Sequence, residues 1–262
     1  MRGPKNLFGE WEEIRRAARR ARKVFLFFDF DGTLATIRLR PEDVHLSVEL
    51  RRLLASISRA GVTLAIISGR GLRDVCRRAG VRNIWYAGAH GYFLRTPRGS
   101  RISLLGAAMR KQIDQTLRFL RVELRGIPGI QIEPKDATIA VHYRRAAGTA
   151  QARAFEAVHR AVKRHSLLKV MHGKKVWEIL PSAHIDKWTA ASTVLAKERW
   201  SASRDLLFYF GDDTTDEAVF REMKGITVAV GKQSGTAARY FVQSPADVRR
   251  FLRRWKEARG PA

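Results

Sequence analysis

A doubly wound, mostly parallel α/β sheet interrupted by a smaller α+β unit is the fold class the sequence predicts, on three observations. VFLFF (Val24 to Phe28) and VTLAIIS (62–68) are near-continuous apolar runs, as expected of strands buried on both faces of a parallel sheet. These runs alternate with helical stretches, the order of a sheet with crossover helices. The middle of the chain abandons that order for helix–strand–strand, given twice, which implies hairpins and an antiparallel sheet.

Taken in order, residues 8–22 read as an amphipathic helix, with Phe8, Trp11, Ile14 and Ala18 near helical spacing. A strand follows at 24–30. Pro41-Glu42 is expected to open a helix through about Ser58, with Leu50, Leu53, Leu54 and Ile57 inward and Gly61 ending the region. After the strand at 62–68 come a helix near 71–79 and a strand near 83–87. In the middle, a helix at 103–124 precedes strands IQIEP and ATIAVHYR. A helix at 149–165 then precedes LLKVM and KVWEIL, with HGK as their turn. LLFYFGDD (206–213) and GITVAVG (225–231) return to the pattern of apolar strand and polar or glycine-rich turn. The expected division is a core of residues 1–96 and 183–262 and an inserted cap of residues 97–182, with hinges near Thr96-Pro97 and Pro181-Ser182.

The chain has 262 residues, 45% of them hydrophobic, enough for one large domain or a core with an insertion. Its one cysteine, Cys76, excludes an internal disulfide or a cysteine-rich zinc site and reads as a small buried side chain on a helix. MRGPKNLFGEWEEIRRAARRARK has no apolar stretch of a secretory signal, and Glu10, Glu12 and Glu13 argue against a mitochondrial leader. No apolar run nears the ~20 residues of a membrane span. A cytoplasmic monomer with no membrane partner is the expectation. The net charge of +25, from 50 Lys and Arg against 25 Asp and Glu, favours anionic partners. The basic residues are spread over RRAARRAR, RRLLASISR, RRAGVR and VRRFLRRWK, without a nucleic-acid-binding motif. The charge is therefore read as a solvated surface that would also attract a small anionic substrate.

Polar residues recur where core strands end. The first run ends in Asp29-Phe-Asp31-Gly32-Thr, the second in Ser68-Gly69-Arg70, and a later one in Gly211-Asp212-Asp213-Thr-Thr-Asp216-Glu217. Asp186-Lys187 precedes that last strand. In a parallel sheet these ends converge on one edge. Unpaired, so many carboxylates would repel one another and suffer desolvation. A hard divalent cation resolves this, and oxygen ligands select Mg²⁺ or Ca²⁺ over zinc. Mg²⁺ uses one or two carboxylates, waters and a substrate phosphate, leaving a carboxylate to attack phosphorus. The second Asp, two residues on, would protonate the leaving oxygen and then activate water. Ser68 and backbone amides, including those at Gly32 and Gly69, would bind phosphoryl oxygens, and Lys187 would offset developing charge.

DFDGT, Ser-Gly-Arg after a second apolar strand, a later lysine and GDDTTDE, in that order, resemble the haloacid-dehalogenase superfamily of Mg²⁺-dependent phosphotransferases. That resemblance implies Asp29 as nucleophile and Asp31 as acid and base. It implies a cation held by Asp29, the carbonyl of Asp31 and Asp212, with Asp213 and Asp216 supporting. An Asp at position 31 resembles the phosphatase and mutase branches, where the ion-pumping ATPases have Thr. AGAHGYFL (87–94), IEPKDATIAVHYR (132–144), GKKVWEILP (173–181) and YFGDDTTDEAVF (209–220) extend the likeness over nearly the whole chain, to trehalose-6-phosphate phosphatases. These have the same core with an αββαββ cap. The resemblance implies that Glu133, Lys135 and Glu178 hold distal glucose hydroxyls, with Arg70, His90, His142 and Arg144 as further substrate contacts. Two departures stand out: Trp188 where the family usually has Gly after the lysine, and the alanine of AGAHG where Ser or Glu is common.

The reading is a Mg²⁺-dependent hydrolysis of trehalose 6-phosphate through an aspartyl-phosphate. Its rivals are a phosphatase of the same superfamily for sucrose 6-phosphate or a glucosylglycerol phosphate, a phosphomutase, and a basic nucleic-acid-binding protein with an idle site.

Overall fold

A computed structural model describes residues 3–182, 185–231 and 235–259. The chain first forms β1 (Lys5–Asn6), α1 (Trp11–Arg20), β2 (Val24–Phe28), α2 (Val48–Arg59), β3 (Thr63–Ile67), α3 (Leu72–Ala79), β4 (Trp85–Gly88), β5 (Phe93–Arg95) and β6 (Arg101–Ser103). Next come α4 (Ala107–Glu123), β7 (Gln131–Pro134), β8 (Ile139–His142), α5 (Gly148–Lys163), β9 (Leu168–Gly173) and β10 (Val176–Pro181). The last part holds α6 (Lys187–Lys197), β11 (Leu206–Gly211), α7 (Glu217–Glu222), β12 (Ile226–Val230), β13 (Tyr240–Val242) and α8 (Pro245–Arg259). Two compact units result, Met1–Ile102 with Ile185–Ala262, and Ser103–His184. No helix among the described residues is long and apolar enough to cross a membrane.

The first unit is a nine-stranded sheet in the order β1-β13-β12-β11-β2-β3-β4-β5-β6. It is parallel from β1 through β4. β4 to β5 turns antiparallel. β2 sits centrally, and every residue of its VFLFF is buried. A strand with no solvated face needs helices over both faces, which is why its sequence shows no alternation. Thr96-Pro97 lies in the β5–β6 turn, where the Thr96 N–H donates to the Ser100 carbonyl at 2.9 Å. Residues 97–102 thus make the turn after β5 and the start of β6, and the first compact unit runs on to Ile102. The second expected boundary adjoins residues 183–184, outside the described residues.

The helix expected from Pro41 begins only at Val48. Pro41–Asp43 makes one 3₁₀ turn, and Val44 and Leu46 then run extended and buried. Ser47 starts the helix by accepting from the Leu50 N–H at 3.2 Å, a side-chain cap. β1 was not anticipated: two exposed residues carry no periodicity, yet Lys5–Asn6 pairs parallel with β13. Phe8, just after it, lies under the guanidiniums of Arg250 and Arg254, 4.6 and 5.3 Å from its centroid. Cys76 lies on α3 but is half-buried, and burial pushes its thiol up.

The second unit is a four-stranded antiparallel sheet, β7-β8-β10-β9, with α4 and α5. Along β10 burial alternates: Trp177, Ile179 and Pro181 are buried, while Val176, Glu178 and Leu180 are half-exposed. Period-two alternation marks one face packed on helices and one open. The β9–β10 turn falls at Lys174-Lys175 rather than HGK, with Lys175 at φ 66°.

Candidate active site

β2, β3 and β11 run parallel, so Asp29, Ser68 and Asp212, each the residue after its strand, meet at one sheet edge. The Asp29 N–H donates to the Phe210 carbonyl at 2.8 Å, and that of Ser68 to Ala87 at 3.0 Å. Both backbones thus remain fixed by the sheet. Past Asp29 the chain folds back sharply, with the N–H groups of Leu34 and Ala35 both on the Phe30 carbonyl. Gly32 stands there at φ +80°, and a Cβ on it would lie 1.9 Å from Asp212 Oδ2. The turn therefore needs glycine both for its backbone and for the carboxylate that crosses it. Thr33, fully buried, donates its hydroxyl to Asp212 Oδ1 at 3.1 Å.

Lys187, the first residue of α6, enters this edge from the side. Its ammonium, 3% exposed, donates to Asp29 Oδ1 at 2.7 Å and Asp216 Oδ1 at 2.8 Å. Asp186 caps that helix, accepting from the Thr189 N–H at 2.8 Å, so the lysine's backbone is fixed by local chemistry. Burial works against the Lys187 ammonium, but the Asp29 and Asp216 charges hold its pKa above the ordinary value. Burial drives Asp29 well above the usual carboxylate range, with Lys187 pulling against it and Asp216 and Asp212 adding to it. Asp212 is raised by burial and by Asp216, with Thr33 opposing.

Oxygens of Asp29, Asp212 and Asp216 lie within 4.8 Å of one another. Three carboxylates against one ammonium leave an excess of negative charge, which adds to the burial that chiefly raises Asp29 and Asp212. An all-oxygen donor set with surplus charge suits a hard divalent cation. Asp216 is the least available of the three. Its Oδ1 takes Lys187 and the Tyr209 hydroxyl (2.6 Å), and its Oδ2 takes the Asp212 and Asp213 N–H groups (3.1 Å each). These four bonds fill a carboxylate's acceptor sites, which makes Asp216 a brace for its neighbours.

Other expected site residues take different positions. Asp31, two residues past Asp29, is gripped by Arg70, whose Nε and Nη2 each reach one carboxylate oxygen at 2.6 Å. Ser68 is buried, and its Oγ accepts from the Arg70 N–H at 3.1 Å. Gly69 lies against the His90 ring, where a Cβ would come within 2.7 Å of the imidazole. His90 itself has φ 55°. Asp213 is exposed and caps the next turn, accepting from the Thr214 N–H, and lies outside the three-carboxylate group. Trp188 sits inside α6 with ordinary helical backbone, so the conformational freedom of glycine is not needed there.

In the second unit, Glu133 and Glu178 both pair with Ala140 across the sheet and so share its open face. Glu133 bonds His142 Nε2 at 2.8 Å. Glu178 accepts from Lys135 at 3.1 Å and from the Thr138 hydroxyl at 2.9 Å. Arg144 is exposed and reaches the Lys174 carbonyl at 3.5 Å. Sequence reasoning passed over Thr33, Thr138 and Tyr209. Thr33 was visible in DFDGT, whereas Tyr209 is hidden in an apolar run and nothing in LLFYFG sets its hydroxyl apart.

Comparisons with known proteins agree with this architecture. The trehalose-phosphate phosphatase of Mycobacterium tuberculosis strain H37Rv is 36% identical over 242 residues, covering 89% of this chain and 61% of that protein. A probable trehalose-phosphate phosphatase of rice is 31% identical over 94% of this chain and 70% of its own length. The chain thus spans about three fifths of the mycobacterial relatives it matches. Among solved structures, the Aspergillus fumigatus trehalose-6-phosphate phosphatase superposes with a TM-score of 0.67 at 24% identity, over 96% of this chain and 98% of that one. The C-terminal domain of the Candida albicans enzyme gives 0.64 at 22%, over 95% and 97%. At such identities these two speak for the fold. The sequence profile of the family described as trehalose-phosphatase matches residues 27–246, from β2 to the start of α8, and the chain belongs to that family.

Proposed function

We propose that the chain hydrolyses trehalose 6-phosphate to trehalose and phosphate, carrying the phosphoryl group on Asp29. The observation that supports this chemistry is the buried Lys187 held between Asp29 and Asp216, beside Asp212 and at the strand end that Ser68 shares. The substrate is inferred from the family and from what its relatives are called.

A divalent cation, which we assign as Mg²⁺, would be held by Asp29, Asp212 and the Asp31 carbonyl and would neutralise charge on the phosphoryl oxygens. The residues divide the remaining work. An Asp29 carboxylate oxygen attacks phosphorus, the phosphorus–sugar oxygen bond breaks, and Asp31 gives its proton to the departing sugar oxygen. Asp31 then takes a proton from water, whose oxygen attacks the same phosphorus. The bond to Asp29 breaks and phosphate leaves. Lys187 holds Asp29 in line and balances charge, and the Ser68 hydroxyl with the amides near Gly32 and Gly69 receives phosphoryl oxygens. Asp213 and Asp216 support the cation site from the flanking turn. Glu133, Lys135, His142, Arg144 and Glu178 are assigned to sugar hydroxyls, which carboxylates accept from and cations donate to. Arg70 and His90 are assigned to the substrate side of the phosphate site.

The test is phosphate release from trehalose 6-phosphate, sucrose 6-phosphate and glucose 6-phosphate with Mg²⁺, with Asp29→Asn as control. Preference for trehalose 6-phosphate, lost in the variant, is the expected result. Preference for another ester would keep the chemistry and discard the substrate. Activity unchanged by Asp29→Asn would discard the mechanism.

A further inference from the structure

The first turn of α3 carries a carboxylate that the proposed mechanism does not use. Asp74 accepts from three guanidiniums: Arg78 Nε at 2.7 Å, Arg77 Nη2 at 2.9 Å and Arg70 Nη1 at 3.2 Å. Arg70 spends its other nitrogens, Nε and Nη2, on the two oxygens of Asp31. Arg78 is buried, and its Nη1 donates to the carbonyls of Glu42 and Val44. An unbroken path of charged hydrogen bonds therefore runs from the Asp31 carboxylate through Arg70, Asp74 and Arg78 to the backbone of residues 42–44.

A guanidinium is a rigid planar fork on a flexible stem. Held only by Asp31, Arg70 would move with that carboxylate. Held also by Asp74, it has its plane fixed at two ends, and the fork dictates where the Asp31 oxygens lie. Asp74 is in turn fixed by Arg78, which the backbone of residues 42–44 anchors. Against burial that would raise it, Arg78, Arg77 and Arg70 keep the Asp74 carboxyl below the ordinary value. We propose that Asp74 is a positioning residue: through Arg70 it sets the direction from which Asp31 delivers its proton to the leaving oxygen. This rests on the reading of Asp31 as acid and base.

An acid in a helix's first turn also stabilises the helix, so the test must separate aim from stability. The comparison is kcat/KM for trehalose 6-phosphate and for p-nitrophenyl phosphate, since kcat/KM covers steps only through the first departure. The sugar oxygen must be protonated to leave, whereas the nitrophenolate leaves unprotonated. Asp74→Ala is expected to lower kcat/KM for the sugar ester about 10- to 100-fold, part of what an acid supplies, and to leave the aryl ester within about threefold. Asp74→Asn, which keeps an acceptor oxygen for the arginines, should recover part of that loss. Arg73→Ala, at an exposed residue of the same helix outside these contacts, should match wild type on both. Should Asp74→Ala fail to fold by circular dichroism, Asp74→Asn and Arg78→Lys give the same comparison. Equal losses on both esters, or no loss, would overturn the inference while leaving the phosphatase intact. Wild-type protein inactive on both esters would overturn the phosphatase reading, and this inference with it.

Discussion

Replacing Lys187 by methionine removes the positive charge from a buried cluster while nearly keeping volume. The ammonium lies 2.7 Å from Asp29 Oδ1 and 2.8 Å from Asp216 Oδ1. At an effective dielectric near 20, each contact contributes ~6 kcal/mol of gross attraction. Desolvation of the buried ions offsets most of that, and removing one partner of such a group costs about 3–5 kcal/mol. For a unit of this size each kcal/mol moves Tm by about 2–4 °C, so Lys187→Met should melt about 6–20 °C below wild type without divalent cation. The deficit should grow with pH. Asp29 and Asp212, already raised, rise further without the lysine, so between the ordinary carboxylate value and the native one the folded state binds more protons than the unfolded. Unfolding free energy then falls as pH rises through that interval. Mg²⁺ should restore more of the Tm in the variant than it adds to wild type, because it replaces the missing charge. Differential scanning fluorimetry at pH 5, 6, 7 and 8, with and without Mg²⁺, reads all three effects. A variant melting within 2 °C of wild type without cation would refute the electrostatic account.

Three further outcomes follow from the geometry. Glu178→Gln and Glu133→Gln should raise KM for trehalose 6-phosphate about 10- to 150-fold, the loss of one charged hydrogen bond of ~1.5–3 kcal/mol, with kcat nearly kept and p-nitrophenyl phosphate hydrolysis unchanged. Gly32→Ala should abolish phosphate release and lower stability by about 1–3 kcal/mol, since its Cβ meets Asp212 and its φ is +80°; urea unfolding and the phosphate assay check both. Divalent-cation affinity by titration calorimetry should weaken as pH falls, because Asp29 and Asp212, with raised pKa values, must lose protons to bind; affinity flat from pH 8 to pH 5 would contradict their place in the cation site.

The parts of this molecule that are legible in sequence are those where one residue type does one thing. Apolar runs such as VFLFF demand burial on both faces, and carboxylates repeated at strand ends point to a shared site. Asp29 and Asp212 were singled out from those ends and Lys187 from the segment before β11, and the structure places the three side chains near one another. What escaped were residues whose role depends on which of several near neighbours the folded chain turns toward them. Tyr209 looks like one more large core side chain until Asp216 is seen to accept from it. Asp74 looks like a helix N-terminal acid until Arg70 and Arg78 converge on it. The helix expected at Pro41 went wrong for a local reason: proline at a first helical position signals a start, but that start is one 3₁₀ turn, and the cap at Ser47 sets the true one.

The central place of β2 has a consequence for how the protein is made. One edge of β2 pairs with β3 soon after synthesis, but its other edge waits for β11, about 180 residues later. At ~5–20 residues per second the ribosome needs roughly 10–40 s to supply that partner. Through that interval VFLFF presents an open, wholly apolar strand edge, the kind that recruits strands from other chains. The strand that leads to Asp29 is thus an aggregation hazard of the nascent chain. A fragment ending before Leu206 should need a chaperone to stay in solution.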